Sequence, residues 1–416
     1  MKESGKKKVK GLDQKHSLFL FRWKMSQRKK ERGAILRRRT KRDDLPDEIV
    51  LEILARLPVK SLLRFRCVCK PWYSSIAKPS FISTHHLNHS HHGYVMHIPR
   101  NIPAHSSSLA CDGAFETIPE FRVPFTFQSQ FSRFVGSCNG MLCFTGHGSK
   151  FNDVYLWNPS IRKFKRLPNN QFPLLTFGIG YDSQNNDFKV VGISQAFANP
   201  KPPPEAEVFS LSSDSWKRAE LGISLRPNLV YCNFIDYLPS PFVSGHLHWM
   251  FKFLDDEGGQ GRRCADLLLS FDVNSEKFNE VPLPNEGSCF TRCVTSFKGK
   301  LALIEFRSVA QPYSTLCSIW VMREYGVIDS WNKLRVLSIE NLHDFIGFTE
   351  YGLHLVQKGP RLVSTDSKLK RKHKYVLIDP ETLHEKEIST QADYRLDVAT
   401  YMENLALLDG RNVVSY

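Results

Sequence analysis

Between Asp43 and Phe81 apolar residues recur at helical spacing, and after Gly93 they alternate with polar ones in short runs. In the first stretch Ile49, Ile53, Leu54 and Leu57 fall at spacings of four, one and three, which makes a stripe on one helix. Asp43 or Asp44 can cap its N-terminus, and Pro46 in the first turn gives up an N–H that has no helical partner there. Asp47 and Glu48 then meet the positive end of the helix dipole. Pro58 is expected to stop this helix. A second is predicted from near Ser61, with Leu62, Leu63, Phe65 and Val68 apolar. A third is opened by Pro71, carries Trp72, Tyr73 and Ile76, and is closed by Pro79. Three helices in about forty residues bury little on their own. Nearly every turn here has more apolar residues than one inward face can use, so the pattern predicts a docking module that completes its core against another protein.

From Gly93 onward the period changes to two. Six segments pair a turn or small residue with a short apolar strand: Asn139–Phe144, Asp187–Val191, Gly245–Trp249, Gly299–Ile304, Gly352–Val356 and Asn404–Leu408. Anchored at 140, 187, 245, 299, 352 and 404, they are spaced 47, 58, 54, 53 and 52 residues apart. That is near the period of about 50 residues of a kelch-type propeller blade. A second family runs in step with the first. Val154–Pro159 turns into Lys163–Pro168, Glu207–Leu211 into Ser215–Lys217, and Leu268–Asp272 into Lys277–Val281; Ser318–Met322 precedes Ser330–Leu334, and Tyr375–Pro380 precedes Leu383–His384. Each reads as a hairpin with a polar turn and an aromatic-led return strand. A fourth strand precedes each next anchor, as in Phe177–Tyr181 and Thr291–Val294. Anchor strand, hairpin and fourth strand, repeated, make a four-stranded propeller blade.

Five blades can be filled from 138 to 401. The sixth has only Asn404–Leu408 of its own, and its other strands are expected from Tyr94–Ile98, Phe115–Ile118 and Ser132–Gly136. Closing a ring in this way removes exposed sheet edges. The expected fold class is mostly β: a kelch-like β-propeller of about six blades preceded by a small three-helix segment.

The formal charge of +15 changes the picture only through its location. Residues 1–42 hold 17 Lys or Arg and 3 acidic residues, a net of +14, whereas the other 374 hold 40 and 39, a net of +1. The basicity therefore belongs to a tail, 1–42, which is expected to be disordered and whose clusters read as nuclear localisation or non-specific attraction to nucleic acid. No dedicated nucleic-acid surface is expected in the balanced remainder. The helical segment is placed at 43–83, a His-rich polar linker at 84–92 (His85, His86, His89, His91 and His92), and the propeller at 93–410. The ten cysteines form no C-x-x-C and no periodic framework, so they are read as small buried hydrophobes of a reducing compartment, nucleus or cytoplasm. No apolar run is long enough to span a membrane; Leu18–Trp23 is far too short.

Candidate chemistry is sparse. The sequence contains no Gly-rich phosphate loop, no G-x-S-x-G and no H-E-x-x-H. His246 and His248 alternate on one predicted strand, and His354 takes a similar place in a later repeat. Neighbouring repeats offer no matching set of Asp, Glu or Tyr, so no metal, cofactor or catalytic residue is expected. A metal-dependent oxidase of the copper type, on a kelch-like propeller, is the enzyme alternative.

The run Leu45–Ile76, LPDEIVLEILARLPVKSLLRFRCVCKPWYSSI, with its two Leu-Pro pairs and its Cys-x-Cys-Lys-x-Trp tail, resembles an F-box. The repeats resemble plant F-box-associated domains, most closely in Ser137–Leu142, Leu156–Pro168, Phe177–Asp182 and Asp187–Val191; the likeness covers 43 to 408 and weakens beyond 200. This resemblance implies contact with a Skp-type adaptor, and through it a cullin. The residues implied are Leu45, Pro46, Ile49, Leu54, Leu57, Pro58, Leu62, Arg66, Val68, Cys69 and Trp72. It further implies that the propeller holds a protein substrate while other subunits of an SCF-type cullin-RING ligase transfer ubiquitin. A scaffold that holds its partner without degradation is the alternative. The connections Thr145–Asp153, Ser194–Pro204, Asp255–Ala265, Arg307–Thr315 and Lys358–His373 are long and leave one face, where binding residues tend to sit. Among them Lys368, Lys370, Arg371, Lys372 and Lys374 are the candidates for an acidic or phosphorylated segment.

Overall fold

The computed structural model describes residues 45–89, 94–99, 107–111, 121–125, 127, 132–146, 152–171, 174–194, 205–222, 229–230, 238–255, 263–284, 291–309, 314–349, 351–359, 374–388, 396–406 and 412–416. The tail 1–42 and the segment Phe115–Ile118 lie outside them. Two compact units meet at Ala55 in the sequence, residues 1–55 and 56–416.

Helix α1, Asp47–Leu54, belongs to the first unit, with Asp47 and Glu48 in its first turn. The second unit opens with α2, Val59–Phe65, α3, Lys70–Ile76, and α4, Pro79–His89. The module thus has four helices where three are expected. Pro46 and Pro58 each stand immediately ahead of a helix, with φ of −50° and −55°. Each Leu-Pro pair is therefore a helix entry, and Pro58 does not stop α1, which has already ended at Leu54. Pro79 likewise opens α4 instead of closing α3. The linker expected at 84–92 is helical through His89, because His85 is a core residue: it is fully buried, with Nε2 3.0 Å from the Leu57 carbonyl oxygen.

The rest is β-structure in six antiparallel sheets. In chain order the strands begin with β1 (Tyr94–Pro99), β2 (Ser107–Cys111) and β3 (Phe121–Arg122). The next meander is β4 (Ser132–Cys138), β5 (Met141–Gly146), β6 (Asp153–Asn158) and β7 (Lys163–Arg166). It is followed by β8 (Leu174–Asp182), β9 (Asp187–Ser194), β10 (Ala206–Ser210) and β11 (Ser215–Ala219). The third meander has a short, split first strand, β12 (Leu229–Val230) and β13 (Phe242–Val243), both paired with β14 (His246–Asp255), then β15 (Arg263–Asp272) and β16 (Lys277–Val281). The fourth is β17 (Thr291–Phe297), β18 (Lys300–Val309), β19 (Ser314–Met322) and β20 (Trp331–Glu340). The fifth is β21 (Leu342–Phe348), β22 (His354–Lys358), β23 (Lys374–Ile378) and β24 (Glu385–Ile388), and two strands remain, β25 (Leu396–Tyr401) and β26 (Val414–Ser415).

Five sheets are built on these continuous meanders; the sixth, in the order β25-β1-β2-β3, joins the two ends of the propeller. The first strands β4, β8, β17, β21 and β25, with β13 and β14 for the third meander, touch their neighbours in turn, and β25 touches β4, so the ring closes around them. Apolar side chains fill the spaces between successive sheets. Val191 and Val208 of one sheet pack with Trp249, Leu269 and Phe271 of the next, and Ile304 and Ile319 pack with Phe345, Val356 and Val376.

Two expectations are corrected. Each blade begins one strand earlier than the repeats suggest: Phe177–Tyr181 pairs with β9 and is the first strand of its own blade, not the last of the one before. The reason lies in the anchor glycines. Asn139 and Gly140 have φ of +46° and +74°, Ser244 and Gly245 +52° and +79°, Lys298 and Gly299 +48° and +74°. These are two-residue hairpin turns with both central residues left-handed, the form that matches strand twist, so each anchor lies inside a blade. The second correction concerns closure. The C-terminal strand that pairs with Tyr94–Pro99 is Leu396–Tyr401, in register over six residues, and not Asn404–Leu408. Ser132–Gly136, expected to help complete that sheet, belongs to β4 of the next one.

Asn404 has another use, since its amide is spent on side-chain hydrogen bonds. Its Oδ1 accepts from Asn158 Nδ2 at 2.6 Å and from Ala406 N at 2.8 Å, and its Nδ2 donates to the Asn139 carbonyl. The chain end then runs on to β26, which pairs with β7, and Trp157 Nε1 donates to Tyr416 Oη at 3.0 Å.

Candidate functional site

Two ends of the second unit have different construction. Hairpins between first and second strands and turns between third and fourth strands leave one end; connections between second and third strands leave the other. Helices α2–α4 sit at the short-turn end. α2 lies against the 3₁₀ turn Pro159–Ile161 that joins β6 to β7. Val59 N, at the start of α2, donates to Glu403 Oε2 at 3.0 Å, just past β25. His86 of α4 is hydrogen-bonded to Asn139 in the β4–β5 hairpin, and burial holds its imidazole below the ordinary value against that bond.

Within the helices the expected adaptor residues separate into two groups. In the first unit Leu45 and Ile49 are exposed at 55% and 44%, and Ile53, four residues on, at 50%. Ile49 and Ile53, four apart, lie on one side of α1 and are open to solvent, with Leu45 exposed just ahead of the helix. Leu54 is buried. In the second unit Pro58 and Val68 are exposed, and Leu57, Cys69 and Trp72 are half-buried. Leu62 and Arg66 are buried: Leu62 is inside with Val59 and Ile76, and the Arg66 guanidinium lies 4.1 Å from the centre of the Tyr73 ring. Trp72 meets Phe65 edge to face, centroids 5.7 Å apart. Leu54, in the first unit, and Leu62 and Arg66, in the second, are buried within the chain by itself. Tyr73, named only among the apolar residues of its helix, and Leu87 are exposed at 52% and 71% and were not among the expected adaptor residues, because an exposed apolar residue on a short helix has the same spacing as a buried one.

At the long-connection end, Lys368, Lys370, Arg371 and Lys372 lie outside the described residues. Lys374 starts β23 and its Nζ is 2.8 Å from Glu387 Oε2 on the neighbouring strand, with both side chains more than half exposed. Exposed pairs of this kind contribute little to stability.

The three histidines do not converge. His248 is buried, with Nδ1 3.1 Å from the Pro241 carbonyl oxygen and Nε2 2.8 Å from Tyr325 Oη. His246 stacks near Tyr325 at 4.6 Å between ring centres. His354 lies two blades further on, buried between Phe345 and Phe348. No group of three or more His, Cys, Asp or Glu stands ready to hold a metal among the described residues.

Buried ions that pattern reading missed tie blades together. Lys189 Nζ on β9 reaches Asp182 Oδ2 at 2.7 Å, and on the next blade Glu276 Oε1 at 2.7 Å and the Val273 carbonyl at 2.9 Å. Arg292 Nη2 holds Glu305 Oε1 at 2.7 Å on its own blade, and Nη1 holds Asp266 Oδ2 at 3.3 Å on the preceding one.

Comparison with known proteins agrees with this architecture. An F-box domain profile matches residues 43–84, and one described as an F-box associated beta propeller domain matches residues 90–403. The F-box/kelch-repeat protein At3g23880 of Arabidopsis thaliana is 28% identical over 322 residues, covering 73% of this chain and 81% of that protein. F-box protein At5g49610 of the same plant is 30% identical over 313 residues, 71% of this chain and 79% of that protein. F-box protein CPR1, also of Arabidopsis thaliana, is 28% identical over 312 residues, covering 70% and 72%. The chain belongs to the plant F-box proteins that carry a C-terminal F-box-associated β-propeller.

Proposed function

We propose that this protein is the substrate-recognition subunit of an SCF-type cullin-RING ubiquitin ligase, without chemistry of its own. The observation that carries the reading is the division of the second unit into two ends, with helices on the short-turn end and the long connections on the other. A partner held by those connections leaves the helical end free for the Skp-type adaptor. The exposed Ile49 and Ile53 on α1, Leu45 ahead of it, and the exposed Val68 and Tyr73 supply apolar surface of the kind an adaptor covers. The contribution to catalysis is then proximity: a bound substrate's lysines are held at high effective concentration near the charged conjugating enzyme. The same reading puts the protein in the nucleus, the cytoplasm or both.

The test is co-purification of the adaptor with the full chain. Leu45→Ala/Pro46→Ala is expected to abolish it while the propeller's thermal transition stays in place, because both residues precede α1 and are exposed. Undiminished recovery of the adaptor by this variant overturns the proposal. Comparing captured partners with and without proteasome inhibition separates degradation from holding alone.

A further inference from the structure

Two adjoining hollows open between the inner strands of the ring. One is lined by Arg133, Thr176, Leu238, Ser240, Trp249 and Cys293 among others; the second shares Arg133, Leu238 and Ser240 and adds Thr145. Arg133 and Thr145 face each other in register on β4 and β5, one residue from the strand ends where the 147–151 connection leaves. The hollows therefore reach the long-connection end of the ring, opposite the helices.

Their polar inventory is one-sided. No Asp or Glu lines either hollow among the described residues. Arg292, the other arginine on an inner strand nearby, is fully engaged by Glu305 and Asp266. Among the described residues Arg133 has no such carboxylate, and it is partly buried. Thr145 is 1% exposed and its Oγ1 has no hydrogen-bond partner. Ser240 Oγ is already committed, donating to the Phe177 carbonyl at 2.8 Å. A buried hydroxyl left unpaired costs free energy that a β-strand position could avoid with valine, which has the same shape. The Arg133 guanidinium beside it is partly exposed and has no anion among the described residues, and one group that serves both is a carboxylate, which takes the fork of the arginine and a hydroxyl donor together.

We infer that this recess receives one carboxylate of the protein partner, entering from the long-connection end, with Arg133 as its cation and Thr145 as its hydroxyl donor. The carboxylate comes from an Asp or Glu side chain or from a C-terminus; the chemistry is shared. This inference rests on the proposed substrate-receptor role only for who brings the carboxylate, and the recess can be tested without any adaptor.

The experiment uses the purified full chain and follows, by NMR of the ligand at constant ionic strength, acetate and two peptides: N-acetyl-Gly-Gly-Gly with a free C-terminus, and N-acetyl-Gly-Glu-Gly amide. Saturable binding of acetate is expected, and whichever peptide competes identifies the source. Arg133→Gln is expected to weaken acetate at least tenfold, and Thr145→Val severalfold. Thr145→Val must also leave the melting midpoint unchanged or higher, since it removes an unpaired buried hydroxyl. Absence of saturable acetate binding by the unsubstituted protein overturns the inference, as does equal binding by both variants. Adaptor recovery by Arg133→Gln is measured in parallel. Its retention alongside lost acetate binding supports the recess, and loss of adaptor binding by Leu45→Ala/Pro46→Ala remains the separate criterion for the receptor role.

Discussion

Gly140 has φ +74°, and a Cβ placed there would run into the carbonyl oxygen of Met402, just past the closing strand. The residue is fixed by two independent demands, a left-handed turn and a close approach of the chain ends. Gly140→Ala is expected to cost about 2–5 kcal/mol, from left-handed strain and from displacement of Met402. Its neighbour Asn139 also has positive φ, and Asn139→Gly keeps the carbonyl used by Asn404 and loses only the hydrogen bond to His86, so it is expected to cost less than Gly140→Ala. Thermal unfolding of the two variants checks the contrast. His354 makes a second residue-scale prediction. Burial pushes its imidazole down to about 4, against a small opposing effect of Asp379, and neither ring nitrogen has a partner. The folded state therefore binds fewer protons than the unfolded chain between pH 6.5 and about 4, so stability is present above that window and is lost as pH falls through it. Between pH 7.5 and pH 5 the loss from this one residue is about 2 kcal/mol. His248, pushed down to about 3 by burial, acts in the same direction. His354→Leu is expected to flatten the acid side of the stability profile and to be neutral or stabilising at pH 7.5, which denaturant unfolding at the two pH values measures.

Among elements, β9 shows how a blade is tied to the next. Lys189 is buried, and its three oxygen partners lie on its own blade and across the gap. Asp182 and Glu276 hold its ammonium protonated above the ordinary range, although burial acts the other way. Lys189→Ala leaves the fully buried Asp182 carboxylate with local amide donors only, at a cost of about 3 kcal/mol. Lys189→Met, which keeps the stem's packing, is expected to cost nearly as much if the charge matters and much less if the contact is mainly apolar; the two melting midpoints decide. None of this was legible in the pattern, since Asp187-Phe188-Lys189 shows only a strand with a charge. What was legible is specific. Alternation placed most strands to within a few residues, and the aromatics Phe164, Trp216, Phe278 and Trp331 do begin or nearly begin the fourth strands β7, β11, β16 and β20. The phase of the blades was not, because Asn139-Gly140 marks a tight turn in sequence without saying whether that turn lies within a sheet or between two. His85 was misread for a related reason: in a run of histidines, nothing local distinguishes the one that reaches the Leu57 carbonyl. Leu54, Leu62 and Arg66, implied by the motif as adaptor residues, are buried in this chain, while Arg133 and Thr145 belong to no motif and meet only because β4 and β5 pair.

At the scale of the molecule, closure depends on two C-terminal devices that can be removed one at a time. The segment after Met402 brings Asn404, which joins the Asn139 turn to Asn158, and the edge strand β26 with Tyr416 on Trp157. Before it, β25 pairs with β1 over six residues and touches both β4 and β21, so it closes the ring itself. A chain ending at residue 402 keeps β25 and is expected to remain folded with one cooperative transition. It loses the carbonyl and amide partners of Asn158 and the hydroxyl partner of Trp157, a penalty of about 1–3 kcal/mol for each buried group left unpaired. A chain ending at residue 395 lacks β25, which leaves β1 without a paired neighbour on that side and removes the packing of β25 against β4 and β21. Exposed edges of that kind template association between chains. This longer truncation is therefore expected to lose the sharp transition and to aggregate, and a synthetic peptide of residues 396–406 added in excess is expected to restore a single transition. Hydrogen exchange gives the local view: amides of β1 should exchange slowly in the chain ending at 402 and rapidly in the chain ending at 395. Equal melting midpoints for the two truncations, both well below that of the full chain, would show that the ring is held shut by the Asn404 segment and not by the β1–β25 pairing.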